Sequence, residues 1–504
     1  MKYLAHNGIL FPKRYEPKGF SILIKGKEVK LTPNQEEMAV AWVKKLGTEY
    51  AQDEVFRKNF FGDFRKALGV EGDVKPEEFD FNEIESFVQK EKEAKLNMPK
   101  EEKKRLAAER KVEKEKNKEK YGYATIDGVR VEIGAYMAEP SSIFMGRGGH
   151  PLRGKWKPGP RPEDVTLNLS KDAPMPEGKW KGRDWQENSM WVAKWDDKLR
   201  GKEKYIWVAD TSNIKQEKEK AKFDKAEALK DKIGEVTRHI NDNLKSSDIK
   251  RRKVATVAYL IDALKLRVGD EKDPDEADTV GATTLRPEHI KFEANGVTTF
   301  DFLGKDCVRW VKQITLPKTV VDNLKEFSGD AKSTIFEGVS GEKVTEFFNE
   351  VILGLTAKVF RTFHASNTVE DELWKTKVSK SSEVYEKKFA ATMANLDAAI
   401  VCNHKRKPPK NWEESLAKKE ERLKNLKAKA TESAKKKAKE LEYKIKAVKE
   451  TRDYNLGTSL KSYIDPRIYY DWGKKVDFDW KLYYPKTLQR KFSWVESNAE
   501  HREY

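Results

Sequence analysis

At 504 residues the chain is too long for one simple core; at roughly 100 to 200 residues per domain it has room for three or four lobes. Its 101 Lys and Arg against 84 Asp and Glu leave a net charge of +17, which suits a polyanionic partner such as nucleic acid or an acidic membrane face. Two distant cysteines, Cys307 and Cys402, argue against a disulfide framework or a zinc ribbon and for an intracellular protein, no apolar run approaches the ~20 residues of a spanning helix, and MKYLAHNGILFPKRY lacks the apolar core of a signal peptide.

FSILIKGKEVKL (20–31) alternates about Gly26 as a hairpin, and Thr32-Pro33 then caps and opens a helix to about Leu46. Residues 82–120 are polar and helical, and MPKEEKKRLAAERKVEKEKNKEK is charged on every side, so it is predicted to project into solvent. YATIDGVRVEI (123–133) sets Asp127-Gly128 between β-branched runs, a strong hairpin signal. In FMGRGGHPLRGKWKPGPRP (144–162), glycines allow close approach to a phosphate, and Arg147, Arg153, Lys155, Lys157 and Arg161 would neutralise it. Trp185, Trp191 and Trp195 lie in strand-like surroundings and read as core.

A long polar helix is expected from Ile214 to Leu244. A shorter one, RRKVATVAYLIDALKLRVG (251–269), stops at Gly269 and holds Arg267 in its last turn, an ordinary place for a cation. DEKDPDEADTVG (270–281) is rich in carboxylates, but its spacing and missing central glycine do not fit an EF-hand, so no metal is assigned. FDFLGKDCVRWV (300–311) reads as strand, turn, strand with Lys305 at the turn. In GLTAKVFRTFHAS (354–366), Arg361 sits between Phe360 and Phe363, and a half-buried guanidinium there implies an anion. AATMANLDAAIVCNHKRKPPK (390–410) is an apolar helix that runs out at Asn403-His404, where a histidine serves as a dipole partner.

Residues 411–450 hold thirteen Lys/Arg and eight Glu with no glycine. Leu423, Leu426 and Ala430 form one apolar stripe, and Ala434, Ala438, Leu441, Ile445 and Val448 another, in registers that disagree across Thr431 to Ser433. An antiparallel helical hairpin with legs of roughly 27 Å follows at ~1.5 Å per residue, acting as a spacer. Beyond it, LGTSLKSYIDPR (456–467) offers Tyr463 just before the turn-forming Asp465-Pro466. A phenol with a pKa of about 10 is a poor nucleophile, and the segment holds no His or Cys to activate it.

Together HNGILFP (6–12), FRKNFFGDF (56–64), GRGGHP (146–151), LRVGDEKD (266–273), TVGATTLRPEHI (279–290), FDFLGKD (300–306), LTAKVFRTFHAS (355–366), CNHKRKPPK (402–410) and LGTSLKSYIDPR resemble, in order, the eukaryotic-type DNA topoisomerase IB family over nearly the whole chain. The resemblance implies an active site of Arg267, Lys305, Arg361, His404 and Tyr463, with Arg147, His150, Arg153, Lys155, Asp306, Lys358, Asn403 and Ser462 in contact with DNA. The implied fold is α+β and multidomain: a bilobed DNA clamp with a mainly helical, tyrosine-recombinase-like catalytic core. Its parts would be an N-terminal lobe at 1–215, a catalytic lobe at 216–407, an antiparallel coiled-coil linker at 408–451 and a small helical C-terminal domain at 452–504.

The implied activity is relaxation of positive and negative supercoils through a 3′-phosphotyrosyl intermediate. No Gly-Lys pair is followed by Ser or Thr, so no Walker A loop is present, and neither ATP, metal nor other cofactor is expected. The implied partner is double-stranded DNA, bound by a monomer away from membranes. A tyrosine recombinase uses a similar five-residue set, and a non-catalytic DNA clamp would share the charge; the N-terminal motifs favour the topoisomerase. Family members usually carry Lys directly after the serine of the tyrosine motif and Asn before the tyrosine, where this chain has Leu460 and Ser462. The Asn position, with the counterparts of Arg147 and Asp306, contacts the inhibitor camptothecin, so reduced sensitivity is expected. The long charged extension of nuclear members does not precede His6 and the linker is short. These features imply an archaeal branch, acting in the cytoplasm or nucleoid, or a trimmed nuclear member.

Overall fold

The computed structural model describes residues 1–72, 74–269, 278–429 and 431–497. The chain divides into two units, one running from Met1 to Ser212 and the other beginning at Asn213.

In the first unit Ser21–Ile24 pairs with Lys27–Lys30, and Phe79–Asp80 adds a third strand. The helix opened by Thr32-Pro33 spans Pro33–Val43, ending before Leu46 because Lys45 and Leu46 already turn back onto Trp42 and Val43. Its fully buried Glu36 accepts from the Tyr15 hydroxyl and from the amides of Lys18, Gly19 and Phe20, which satisfies a carboxylate facing the core. Phe56, Phe60 and Phe64 recur every four residues on the helix Glu54–Leu68, so they share the face that packs on Trp42. The polar stretch is two helices, Asn82–Asn97 and Lys100–Tyr121, because Pro99 lacks the N–H needed to continue the first. The second helix buries none of its residues. Asp127 and Gly128 both take positive φ, as a tight hairpin turn requires, and join Tyr123–Ile126 to Val129–Glu132. Trp191 and Trp195 are buried on the strand Trp191–Asp196, whereas Trp185 is half-buried outside any strand.

The second unit has two hydrophobic cores. One packs the helices Asn213–Asn243 and Ile249–Leu264 against the antiparallel sheet of Ile290–Phe292, Val297–Gly304 and Val308–Thr315. The other joins Ala357–Lys375 and Val384–Val401 to the C-terminal helices Pro466–Val476, Lys486–Lys491 and Trp494–Ser497 around Tyr469, Trp472 and Phe492. The segment carrying Tyr463 therefore shares its core with helices from a hundred residues earlier.

Two expectations need correction. Arg267 does not close a helix: Ile249–Leu264 stops at Lys265, whose left-handed φ of 57° turns the chain out, and Arg267 lies beyond in non-helical backbone. The charged hairpin is also more than a spacer. Trp412–Lys427 and Glu432–Glu450 run antiparallel, tied by the ion pairs Lys427–Glu442 and Lys449–Glu420, with legs of about 24 and 28 Å at ~1.5 Å per residue. The second leg, however, lies along Val384–Val401, with Tyr443 against Tyr385 and Phe389 and Lys436 paired to Glu383. Ala430 and residues 270–277 of the carboxylate-rich stretch lie outside the described residues. Among the described residues no helix is long and apolar enough to cross a membrane.

Candidate active site

Arg361 occupies the second turn of the helix Ala357–Lys375 and is only 5% exposed between buried Phe360 and Phe363. Among the described residues its guanidinium is held by two helix ends. One Nη donates to the carbonyl of Lys265, the cap residue of Ile249–Leu264. The other donates at 2.9 Å to the carbonyl of Cys402, the cap residue of Val384–Val401. Helix C-termini carry unpaired carbonyls and partial negative charge, so one guanidinium serves two of them. The arrangement also fixes the next residues of each chain, which lead to Arg267 and His404. The buried Nε of Arg361 has no hydrogen-bond partner among the described residues.

Arg267 and Lys305 are brought together by a ladder of backbone contacts. Val280 N–H donates to Leu303 O on the strand that ends at Gly304, Ala282 N–H to Arg267 O and Thr283 N–H to Val268 O. The two passing chains touch at glycines: a Cβ on Gly281 would lie 2.4 Å from Gly269 Cα and 3.0 Å from Arg267 O. Only hydrogen fits there. Gly281→Ala is expected to push the Arg267 segment outward and slow whatever reaction Arg267 serves by about 100-fold, the order that ~1 Å of misplacement costs. Single-turnover kinetics of that reaction check this, and a rate within threefold of the parent would contradict it. Lys305 itself is exposed at the hairpin tip, where Asp306 and Cys307 take positive φ of 66° and 57°.

His404 is 7% exposed, with its Nδ1 2.7 Å from Ser459 Oγ and its Nε2 3.4 Å from Arg361 Nη2. Burial, reinforced by Arg361 and Arg267, pushes its pKa down to about 3, so the imidazole is neutral. His6, buried in the first unit against Asn168 O, is likewise lowered to about 4. Both bind protons more readily in the unfolded chain, near 6.5. Their contribution to stability is therefore complete above pH ~6.5 and declines as pH falls towards 4, by about 2 kcal/mol each at pH 5. His404→Gln should flatten that decline in denaturation midpoints compared at pH 7 and 5, without removing the part due to His6.

Tyr463 ends the short helix Leu456–Ser462 and is 4% exposed. Its ring centroid lies 5.2 Å from that of His404, and 5.1 and 5.8 Å from the guanidinium carbons of Arg361 and Arg267. The tyrosine segment is tied to three neighbours. Ser366 Oγ donates to Tyr463 O and accepts from Asp465 N–H. Lys222 donates to Ser462 O, Lys491 donates to Lys461 O, and both lysines share Glu219. Burial lowers Lys222 to about 8. Asp465 caps the following helix through Arg467 N–H, and the Arg467 side chain returns to Asp465 and reaches Asp224. That accounts physically for the Asp-Pro-Arg sequence.

One cleft is lined by Arg267, Lys305, Asp306, Lys358, Arg361, Ser462 and Tyr463, and an adjoining one by Asn403 and His404 together with Arg267, Lys305 and Arg361. The structure thus gathers all five expected active-site residues, with Asp306, Lys358, Asn403 and Ser462 around them. Arg147, His150, Arg153 and Lys155 belong to the first unit. Arg147 is exposed, His150 is buried against Phe144, Arg153 pairs with Asp53 at 3.1 Å and Lys155 with Asp63 at 2.9 Å. Lys157 corrects the reading of this loop: it is buried between Glu139 and Asp197 and holds the fold instead of facing a phosphate.

Sequence reading assigned no role to Ser366, Ser459, Lys222, Glu219 or Lys491. Ser459 stands four residues before Tyr463, one helical turn away on the same face, which is a usable signal. Lys222 and Lys491 sit in charge-rich stretches that read as solvated.

Residues 1–208 match the family model described as the DNA binding fragment of eukaryotic DNA topoisomerase I, residues 211–450 its catalytic core, and residues 435–503 a C-terminal topoisomerase domain. DNA topoisomerase 1 beta of Arabidopsis thaliana is 36% identical over 98% of this chain and 58% of its own length. DNA topoisomerase 1 of Caenorhabditis elegans is 36% identical over 99% of the chain and 67% of its own length, and that of Homo sapiens 35% identical over 99% and 71%. The chain therefore spans between about three fifths and seven tenths of these relatives. With cations and one buried phenol gathered in the segments that these models cover, the chain belongs to the eukaryotic DNA topoisomerase I family.

Proposed function

We propose that the protein is a type IB DNA topoisomerase, which relaxes supercoils of either sign by cutting one strand, letting it rotate and resealing it. The observation that carries the reading is a phenol, Tyr463, set against Arg267, Arg361 and His404. The Tyr463 oxygen attacks the phosphorus of a DNA phosphodiester, its proton leaving to water. Charge then builds on the two non-bridging oxygens, where the arginines can each donate two hydrogen bonds and neutral His404 one. The bond to the 5′ oxygen breaks, and Lys305, free to follow the leaving group from its exposed turn, supplies the proton. The product is a 3′-phosphotyrosine and a 5′ hydroxyl. The reverse reaction reseals the strand, so neither ATP nor a metal is consumed.

The wider reading places double-stranded DNA in a bilobed clamp, bound by a monomer wherever the genome lies, nucleus or nucleoid. It sets a DNA-binding lobe at 1–215, a recombinase-like catalytic lobe at 216–407, a coiled-coil linker at 408–451 and a tyrosine-bearing domain at 452–504. Arg147, His150, Arg153, Lys155, Asp306, Lys358, Asn403 and Ser462 contact DNA, mostly at phosphates, giving steep salt dependence. The decisive experiment is a denaturing gel with nicked DNA labelled at either end. Protein attached to the 3′ phosphate, and plasmid relaxation without ATP or magnesium, are expected; attachment at the 5′ end would refute the assignment. Because Ser462 is shorter than the asparagine usual in the family, camptothecin at ordinary doses is expected to trap little covalent complex, and Ser462→Asn to raise the yield.

A further inference from the structure

Ser459 is fully buried one helical turn before Tyr463 and lines neither of the two clefts described above, yet its hydroxyl lies 2.7 Å from His404 Nδ1. Its carbonyl accepts from Tyr463 N–H at 2.9 Å and Ile464 N–H at 3.1 Å, so it belongs to the frame of the tyrosine segment. On the other side of the imidazole, Nε2 faces Arg361 Nη2 at 3.4 Å. A guanidinium only donates, so without DNA Nε2 must be the acceptor and the single proton of a neutral ring must sit on Nδ1, donated to Ser459 Oγ. To give a hydrogen bond to a phosphate oxygen, the same ring must carry its proton on Nε2 and accept at Nδ1. A hydroxyl can both accept and donate. Serine is therefore suited to satisfy either tautomer without leaving a buried atom unpaired.

We propose that the Ser459 hydroxyl is a tautomer switch for His404, accepting from Nδ1–H in the free protein and donating to Nδ1 when the Nε2–H turns to a bound phosphate. It is a positioning residue, acting through His404, and the inference rests on the cleavage reaction proposed above. Nothing is oxidised or transferred between residues; one proton changes ring nitrogen through solvent and the hydroxyl rotates to match.

The test compares single-turnover cleavage by the full chain and by Ser459→Ala. A loss of roughly tenfold, about one hydrogen bond, is expected, with DNA affinity unchanged and the melting temperature lowered because the buried His404 Nδ1–H loses its acceptor. On a His404→Gln background the same replacement should cost nothing further. Parent-like cleavage by Ser459→Ala, or an equal loss in both backgrounds, would overturn the switch. A second arm needs neither the serine variant nor cleavage: 15N shifts of His404 in Tyr463→Phe should show the proton on Nδ1 without duplex DNA and on Nε2 with it. The same tautomer in both states refutes the inference. If the parent protein itself forms no covalent complex, the proposed function fails instead, which the first arm shows separately.

Discussion

Replacing Tyr463 by phenylalanine is expected to abolish covalent capture and relaxation of DNA, by about a million-fold if it matches the loss of other covalent nucleophiles, while DNA binding survives. The substitution removes one oxygen and keeps the ring. That ring is what packs beside His404 and stands over the guanidinium groups of Arg361 and Arg267 at 5.1 and 5.8 Å. The anchors of the segment, Ser366 to Tyr463 O and Lys222 to Ser462 O, are made to backbone atoms and do not depend on the hydroxyl. Stability should therefore change by no more than about 1 kcal/mol, the worth of one ordinary hydrogen bond. Gel shift, melting and covalent capture on the same preparation separate the two effects. Residual relaxation above one part in a thousand would mean that another group attacks phosphorus. Weakened DNA binding would mean that the phenol is a contact and not a nucleophile.

How much of this site was legible in the sequence depends on the range of the signal. Turns and hairpins are written locally: Asp127-Gly128, the Lys305 turn and the cap at Asp465 follow from residues within four positions. The positions of Arg267 and His404 are not. Both stand just beyond helix ends, and what holds those ends is Arg361, about a hundred residues from Lys265 and forty from Cys402. A half-buried arginine reads from sequence as a request for an anion, because composition cannot show two carbonyl-bearing helix termini converging on it. The same limit applies to Lys157 and Lys222, which look like solvated cations until the fold encloses them. Helical periodicity likewise separated the two legs at 411–450 correctly but could not say that the second would lie against Val384–Val401.

The convergence on Arg361 makes its replacement by lysine far from conservative. An ammonium keeps the charge but is a compact donor on a flexible stem, unable to hold two carbonyls in the fixed fork of a guanidinium. One of Lys265 O and Cys402 O should lose its partner, costing about 1 to 3 kcal/mol of stability for a buried, unpaired carbonyl. The catalytic cost is larger and has two sources. Two donors to the non-bridging oxygens become one, worth about 100- to 1000-fold in cleavage, and the chain segments presenting Arg267 and His404 lose their common anchor. Arg361→Lys is thus expected to cleave at least about 100-fold more slowly while still folding and binding duplex. Adding Gly281→Ala, which displaces the Arg267 segment, should then cost less than it does in the parent, because residues sharing one network do not add independently. Single-turnover cleavage of the two single variants and the double variant measures this. Cleavage by Arg361→Lys within tenfold of the parent, or full additivity with Gly281→Ala, would show that Arg361 neither stabilises the developing charge nor holds its neighbours in place.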